Sequence, residues 1–187
     1  HSVDLTNPES EPEFVQELKL SNGADYFEFI RVVDNYLYGV SRLGEIGKFD
    51  LEAGNSITMK ALPSSDYYPT AISMSREYLL VAATCKKHSN LDRKSSSSPQ
   101  YDNFIFVVPL NDLSYYVKHK VSLSQDSDSD KDIKRKGSNC PIRLIKANCS
   151  GYCFGSNCNY IEVLLFTDGF NSGFLQKIDI KDKMKQA

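Results

Sequence analysis

An all-β fold built from a repeated unit of short antiparallel strands is what this sequence predicts, and three observations predict it. Short runs rich in Tyr, Phe, Val and Ile alternate with turn residues along the chain. No long window shows the 3.6-residue apolar period of a helix. The plan of strand, hairpin and strand recurs at a spacing of 42 residues, from Leu37 to Leu79. Apolar residues make up 41% of the 187 and charged residues 25%, with 11 Tyr, 10 Phe and no Trp. That balance is ample for a buried core and excludes disorder of the whole chain.

The strands follow in order. Residues 14–20 (FVQELKL) form the first candidate, then 26–33, 36–41, 46–51 and 56–61. A second group covers 70–75, 78–84, 103–110 and 115–122, and a third covers 142–147, 160–167 and 173–180. Turn chemistry separates them at Gly44 and Gly47, Gly54-Asn55, Pro63 through Pro69, and Gly169 through Gly173. Many short strands with such turns read as a sandwich, a barrel or a propeller.

The domain is expected over 14–182, with a loose, polar N-terminal arm at 1–13 carrying Pro8 and Pro12, and a tail at 183–187. The opening His1-Ser2-Val3-Asp4 has no Met and no apolar leader, as in a processed or excised chain. Two polar inserts interrupt the strands. Residues 86–102 are basic and serine-rich, whereas 124–138 join an acidic run at Asp126, Asp128 and Asp130 to Lys134-Arg135-Lys136. Neither can bury a core, so both are read as surface loops. The acidic run lacks the Gly and Glu of a calcium loop, having Lys131 and Gly137 at those places. Its serines Ser127 and Ser129 are candidate sites for an acid-directed kinase, each phosphate adding close to two negative charges.

The repeat has three copies. In the first, Tyr36–Ser41 leads through a turn to Lys48–Leu51; in the second, Tyr78–Ala83 leads through the long insert to Phe106–Leu110; in the third, Val163–Thr167 leads to Lys177–Ile180. A further strand precedes each pair. One four-stranded sheet cannot cover both of its own faces, so such units stack face to face about an axis. The near-continuous apolar run Tyr78–Ala83 is expected close to that axis, covered on both sides.

With Phe49-Asp50-Leu51 and Ile178-Asp179-Ile180 at the end of its third strands, the repeat resembles the WD40-like β-propeller superfamily, where a Trp-Asp dipeptide closes that strand. Semaphorin-type and secreted six-bladed propellers share the blade plan and compete for the assignment. The resemblance implies about three four-stranded blades, fewer than the roughly four to eight that close a ring. It therefore implies a piece of a longer propeller, a fourth blade hidden in the inserts, or a ring completed by a partner or another copy. Strand 14–20 is placed as the missing outer strand of the last blade.

The five cysteines are Cys85, Cys140, Cys149, Cys153 and Cys158. Their spacing is neither a complete cystine knot nor a usual zinc pattern, so no metal site is assigned. Asn148-Cys149-Ser150 is a glycosylation sequon, with Asn148 as acceptor in a secretory setting. No P-loop, G-x-S-x-G, H-E-x-x-H or G-x-G-x-x-G occurs, and no cofactor is expected. His119 reads as a half-exposed sheet residue. Glu45, Asp50 and Asp179 read as carboxylates that cap turns or accept backbone amides.

The functional expectation is a non-enzymatic protein-interaction scaffold, a subunit of a larger complex. A secreted or cell-surface semaphorin-like domain is the main alternative and a nucleic-acid-associated subunit the second. The net charge of −2 argues against binding held mainly by phosphate, and no apolar run reaches the roughly 18 residues of a membrane helix. The Ser/Asp-rich and Lys-rich inserts lean the compartment toward the cell interior. In a propeller the loops joining strand two to three and strand four to the next blade share one rim. Arg42, Tyr67, Tyr68 and Phe170 fall in those loops and are chosen as the partner-binding residues, because Tyr and Arg are enriched in hot spots.

Overall fold

The computed structural model describes residues 27–63, 66–75, 77–86, 101–121, 141–148, 160–167 and 173–180. Every regular element among them is a strand. These are β1 (Phe27–Val33), β2 (Tyr36–Ser41), β3 (Glu45–Asp50), β4 (Asn55–Ala61), β5 (Tyr67–Met74), β6 (Tyr78–Lys86), β7 (Tyr101–Pro109), β8 (Val117–Val121), β9 (Ile142–Asn148), β10 (Tyr160–Thr167) and β11 (Phe174–Asp179). They form three antiparallel sheets, β1-β2-β3-β4, β5-β6-β7-β8 and β9-β10-β11, each in chain order. Strand 14–20 and most of both inserts lie outside the described residues.

Local chemistry sets the hairpins. Asp34 takes φ 52° in the two-residue β1–β2 turn, a left-handed conformation that Asp tolerates better than most residues. After β3, the Asp50 carboxylate accepts the amides of Glu52 and Ala53, both at 2.9 Å, so this acid caps its turn as expected. Gly54, at φ 72°, completes the reversal into β4.

The middle sheet is covered on both faces. Along β6, Leu80 and Ala82 point toward β9-β10-β11, and Leu79, Val81 and Ala83 point toward β1-β2-β3-β4. All five are completely buried. On β7, Ile105 and Val107 take the first side, with Phe104, Phe106 and Val108 on the second. The continuous apolar run is thus a strand with two cores, each full-sized side chain contributing roughly 1.5–3 kcal/mol.

The sheets approach one another chiefly through their first strands, β1 against β5 and β5 against β9. The Ser73 hydroxyl of β5 accepts the Ala147 amide of β9 at 3.0 Å, which ties the two near the same end. The first strands are therefore innermost, and the architecture is propeller-like, with the sheets as blades that do not close a ring. The run 78–83 is the second strand from the axis rather than the first, because β5 lies between it and the centre.

Several strand ends differ from expectation, most by one or two residues, and the larger changes have local causes. The 86–102 insert is shorter at both ends, since Cys85 pairs with Asp102 and Lys86 with Tyr101. A polar residue does not stop a strand where the backbone ladder can continue and the side chain can face water. β5 begins at Tyr67, inside the expected loop, and the chain accommodates Pro69 by a register shift between Pro69 and Ala71 at the edge of the sheet. β8 begins at Val117, because Asp112 accepts the Ser114 amide at 2.8 Å and holds residues 112–114 in a turn.

Tyr78, at the start of β6, has its pKa raised from 10.0, first by burial and then by the nearby Glu77 carboxylate. The folded state holds this proton while the unfolded chain releases it. Its contribution is complete below pH 10 and lost as pH rises through the higher folded value. Alkaline unfolding monitored by circular dichroism is expected to show a decline beginning near pH 10 that is shallower in Tyr78→Phe. An identical pH profile in the variant would remove Tyr78 as its source.

Candidate interaction surface

The antiparallel order places the β2–β3 turn, the β4–β5 connection, and the ends of the strands bordering 87–100 and 168–172 at the same end of their sheets. This end is the upper rim. Its first turn is tightly specified. Gly44 donates its amide to the Ser41 carbonyl at 3.0 Å, and the Ser41 hydroxyl accepts the Glu45 amide at 3.0 Å. Gly44 has φ 85°, and a Cβ there would meet the Leu62 side chain at 3.1 Å. Leu62 donates in turn to the Gly44 carbonyl at 2.7 Å, which pins the β4–β5 connection to the turn. The hydroxyl of Ser41, rather than a carboxylate, does the capping. Glu45 itself is buried and its Oε2 has no hydrogen-bond partner, unlike the role expected for it.

This rigid base holds Arg42 and Leu43 outward. Arg42 is exposed and Leu43 is 61% exposed. Leu43 was not singled out in the sequence; its signal is an apolar side chain at the tip of a hairpin otherwise made of turn residues. The two tyrosines diverge because they are consecutive residues of a strand. Tyr68 is 51% exposed. Tyr67 is half-buried, its ring edge-on to Phe104 at 5.3 Å and to Phe106 at 5.2 Å. The Lys118 ammonium donates to the Tyr67 hydroxyl and lies 4.6 Å from the Tyr67 ring centroid and 4.4 Å from that of Phe104. Cation–π attraction of this kind contributes about 0.5–1 kcal/mol at a partly exposed site. Tyr67 thus packs on its own blade, and Tyr68 is the open member of the pair.

Beside them, Lys120 pairs with Asp102 at 3.2 Å across β8 and β7. Asn148 is the last residue of β9, opposite Glu162. Phe170, Ser127 and Ser129 lie outside the described residues, as do Cys140, Cys149, Cys153 and Cys158. Among the described residues, no three His, Cys, Asp or Glu side chains converge as metal ligands, and no helix is long and apolar enough to cross a membrane.

With this geometry in place, comparison with solved structures adds a likeness of fold. No family model matches the chain, and no curated protein is similar to it. Among solved structures it is similar to the β-propeller domain of Cps50 (Swd1) from Myceliophteria thermophila, at 14% identity and a TM-score of 0.32. The match covers 74% of this chain and 49% of that one, so this chain spans about half the length of that domain. The blade reading rests on the order and stacking of the sheets themselves.

Proposed function

We propose that the protein is a non-enzymatic interaction platform that binds a protein partner through the upper rim, with Arg42, Leu43 and Tyr68 as the contact residues. The supporting observation is the pairing of a rigid base with an outward tip. The Ser41–Gly44–Leu62 hydrogen bonds fix the backbone, and the side chains above it have no core to fill. A cationic, an aliphatic and an aromatic side chain on an ordered base suit partner docking, because little conformational freedom is lost on binding. Tyr67 serves this surface as a positioning residue, holding the start of β5 through its contacts with Phe104, Phe106 and Lys118. Phe170 belongs to the same proposal through its place between β10 and β11.

The test is a variant carrying Arg42→Ala, Leu43→Ala and Tyr68→Ala. Affinity capture of partners by the wild-type chain, followed by titration of each captured protein, is expected to show binding weakened by 30-fold or more. Loss of one hot spot costs about 2 kcal/mol, equivalent to that factor. The thermal unfolding curve is expected to stay in place, since none of the three fills the core. Unchanged partner affinity in the triple variant would show that binding uses another surface.

A further inference from the structure

We infer that residues 14–20 of this same chain lie across the outer face of the first sheet and seal its middle strands. Alternation identifies that face. Tyr38, Val40 and Ile46 point into the core shared with the middle sheet, so Gly39 and Ser41 of β2, and Glu45, Gly47 and Phe49 of β3, point the other way. Ser41 is 0%, Phe49 1% and Glu45 6% exposed, and both glycines are buried. The other two described sheets lie on the inner side, since the third packs on the far face of the middle one. Residues on a solvated sheet face stay accessible; these do not.

The shape of the sealed area shows what kind of cover it has. Sheets in this protein stack through their first strands, β1 against β5 and β5 against β9. On the outer face of the first sheet the first strand is the open part. Ile30 is 52% and Val32 57% exposed there, paired with Gly39 and Leu37. Another blade stacked in the same manner would close over Ile30 and Val32, so the cover is not a blade. A single narrow segment over β2 and β3 fits.

The approach of the chain to β1 selects the segment. Phe27, the first residue of β1, pairs with Ser41 at the upper end. Its ring lies on the outer face: a Cβ on Gly39 would meet it at 2.5 Å, and it sits edge-on to Phe49 at 5.4 Å. One half-buried ring cannot also seal Ser41 and Glu45, and the residues leading into Phe27 arrive beside them. Extended, 21–26 reach about 20 Å, more than the roughly 15 Å width of a four-stranded sheet. Ahead of them, Phe14, Leu18 and Leu20 fall on one side of an extended 14–20, an apolar stripe suited to Phe49 and the two glycines. Burial of the Glu45 Oε2 without a hydrogen-bond partner opposes this contact, so apolar packing has to hold the segment in place.

The photoreactive residue benzoylphenylalanine, placed in the full chain at Phe14, Leu18 or Leu20 one at a time, tests the placement. Irradiation followed by peptide mass spectrometry is expected to join these positions to residues 39–49 of the same chain. Adducts on β1 alone, on β11 (the outer-strand position that the sequence suggested) or between chains overturn the inference. So does the absence of adducts on β2 and β3 at all three positions. A second measurement uses Ser41→Cys in the full chain, with peptide-resolved labelling by iodoacetamide. Adding Leu18→Asp and Leu20→Asp is expected to speed labelling of that thiol by at least about 10-fold, with the β circular-dichroism spectrum kept. Equal rates with and without the two aspartates overturn the inference. Partner affinity through Arg42, Leu43 and Tyr68 is read separately, so a failure of the rim proposal leaves this placement standing.

Discussion

Replacing Phe106 by alanine is expected to destabilise the fold by about 3–5 kcal/mol, the range for removing a buried aromatic ring. The ring is fully buried on β7, in the core between the first and middle sheets. Its edge-to-face partners are Tyr67 at 5.2 Å and Tyr116 at 5.5 Å. Truncation removes the transfer energy of the ring and both aromatic contacts, and leaves a space that two hydrogen-bonded sheets cannot easily collapse to fill. Domains of this size shift by about 2–4 °C per kcal/mol, so thermal unfolding should drop by about 6–20 °C. Because Tyr67 holds the start of β5 through the same contacts, the variant should also weaken binding at the rim. A shift below about 3 °C would mean that the ring is not enclosed between two sheets.

Leu80→Asp is expected to abolish the native state at neutral pH. Leu80, the third residue of β6, faces the core shared with the third sheet, a cluster that includes Ala71, Ile105, Val163 and Ile178. An ionised carboxylate there loses its hydration and meets only hydrocarbon in that cluster, a penalty of several kcal/mol against a total stability of about 5–15. The informative control is Leu175→Asp, the same chemical change at a residue on the outer face of β11. Its effect on the unfolding midpoint of the monomer should stay within about 0.5 kcal/mol. Equal effects of the two, read by urea denaturation, would contradict the assignment of one leucine to the core and the other to an outer face.

The fold was legible in most of its parts. The Tyr78–Ala83 run, the Asp50 turn and the pairing of Tyr36–Ser41 with the following strand all read directly from alternation, turn residues and repeat spacing. The rim was legible as a set of loops, because antiparallel order alone decides which connections share an end. Within the rim the reading was coarser. Tyr67-Tyr68 looked like one aromatic loop patch, and became a strand that sends one ring to the core and the other to solvent. Leu43 passed unnoticed because one apolar residue among the turn residues of a hairpin tip is a weak signal beside the strands on either side. Glu45 looked like a turn cap, but at this turn the Ser41 hydroxyl accepts the Glu45 amide instead.

What the chain determines by itself is local: which segments extend, where they turn, and that the unit of strands recurs. Those properties belong to backbone conformations a few residues long, and side-chain shape and the Gly, Pro and Asp positions encode them directly. What the tertiary structure decided is which face of each sheet is covered. Leu80 and Leu175 are the same residue in the same kind of strand, yet one is sealed and the other open. The difference is the sheet that lies opposite, and packing between blades far apart in sequence sets that.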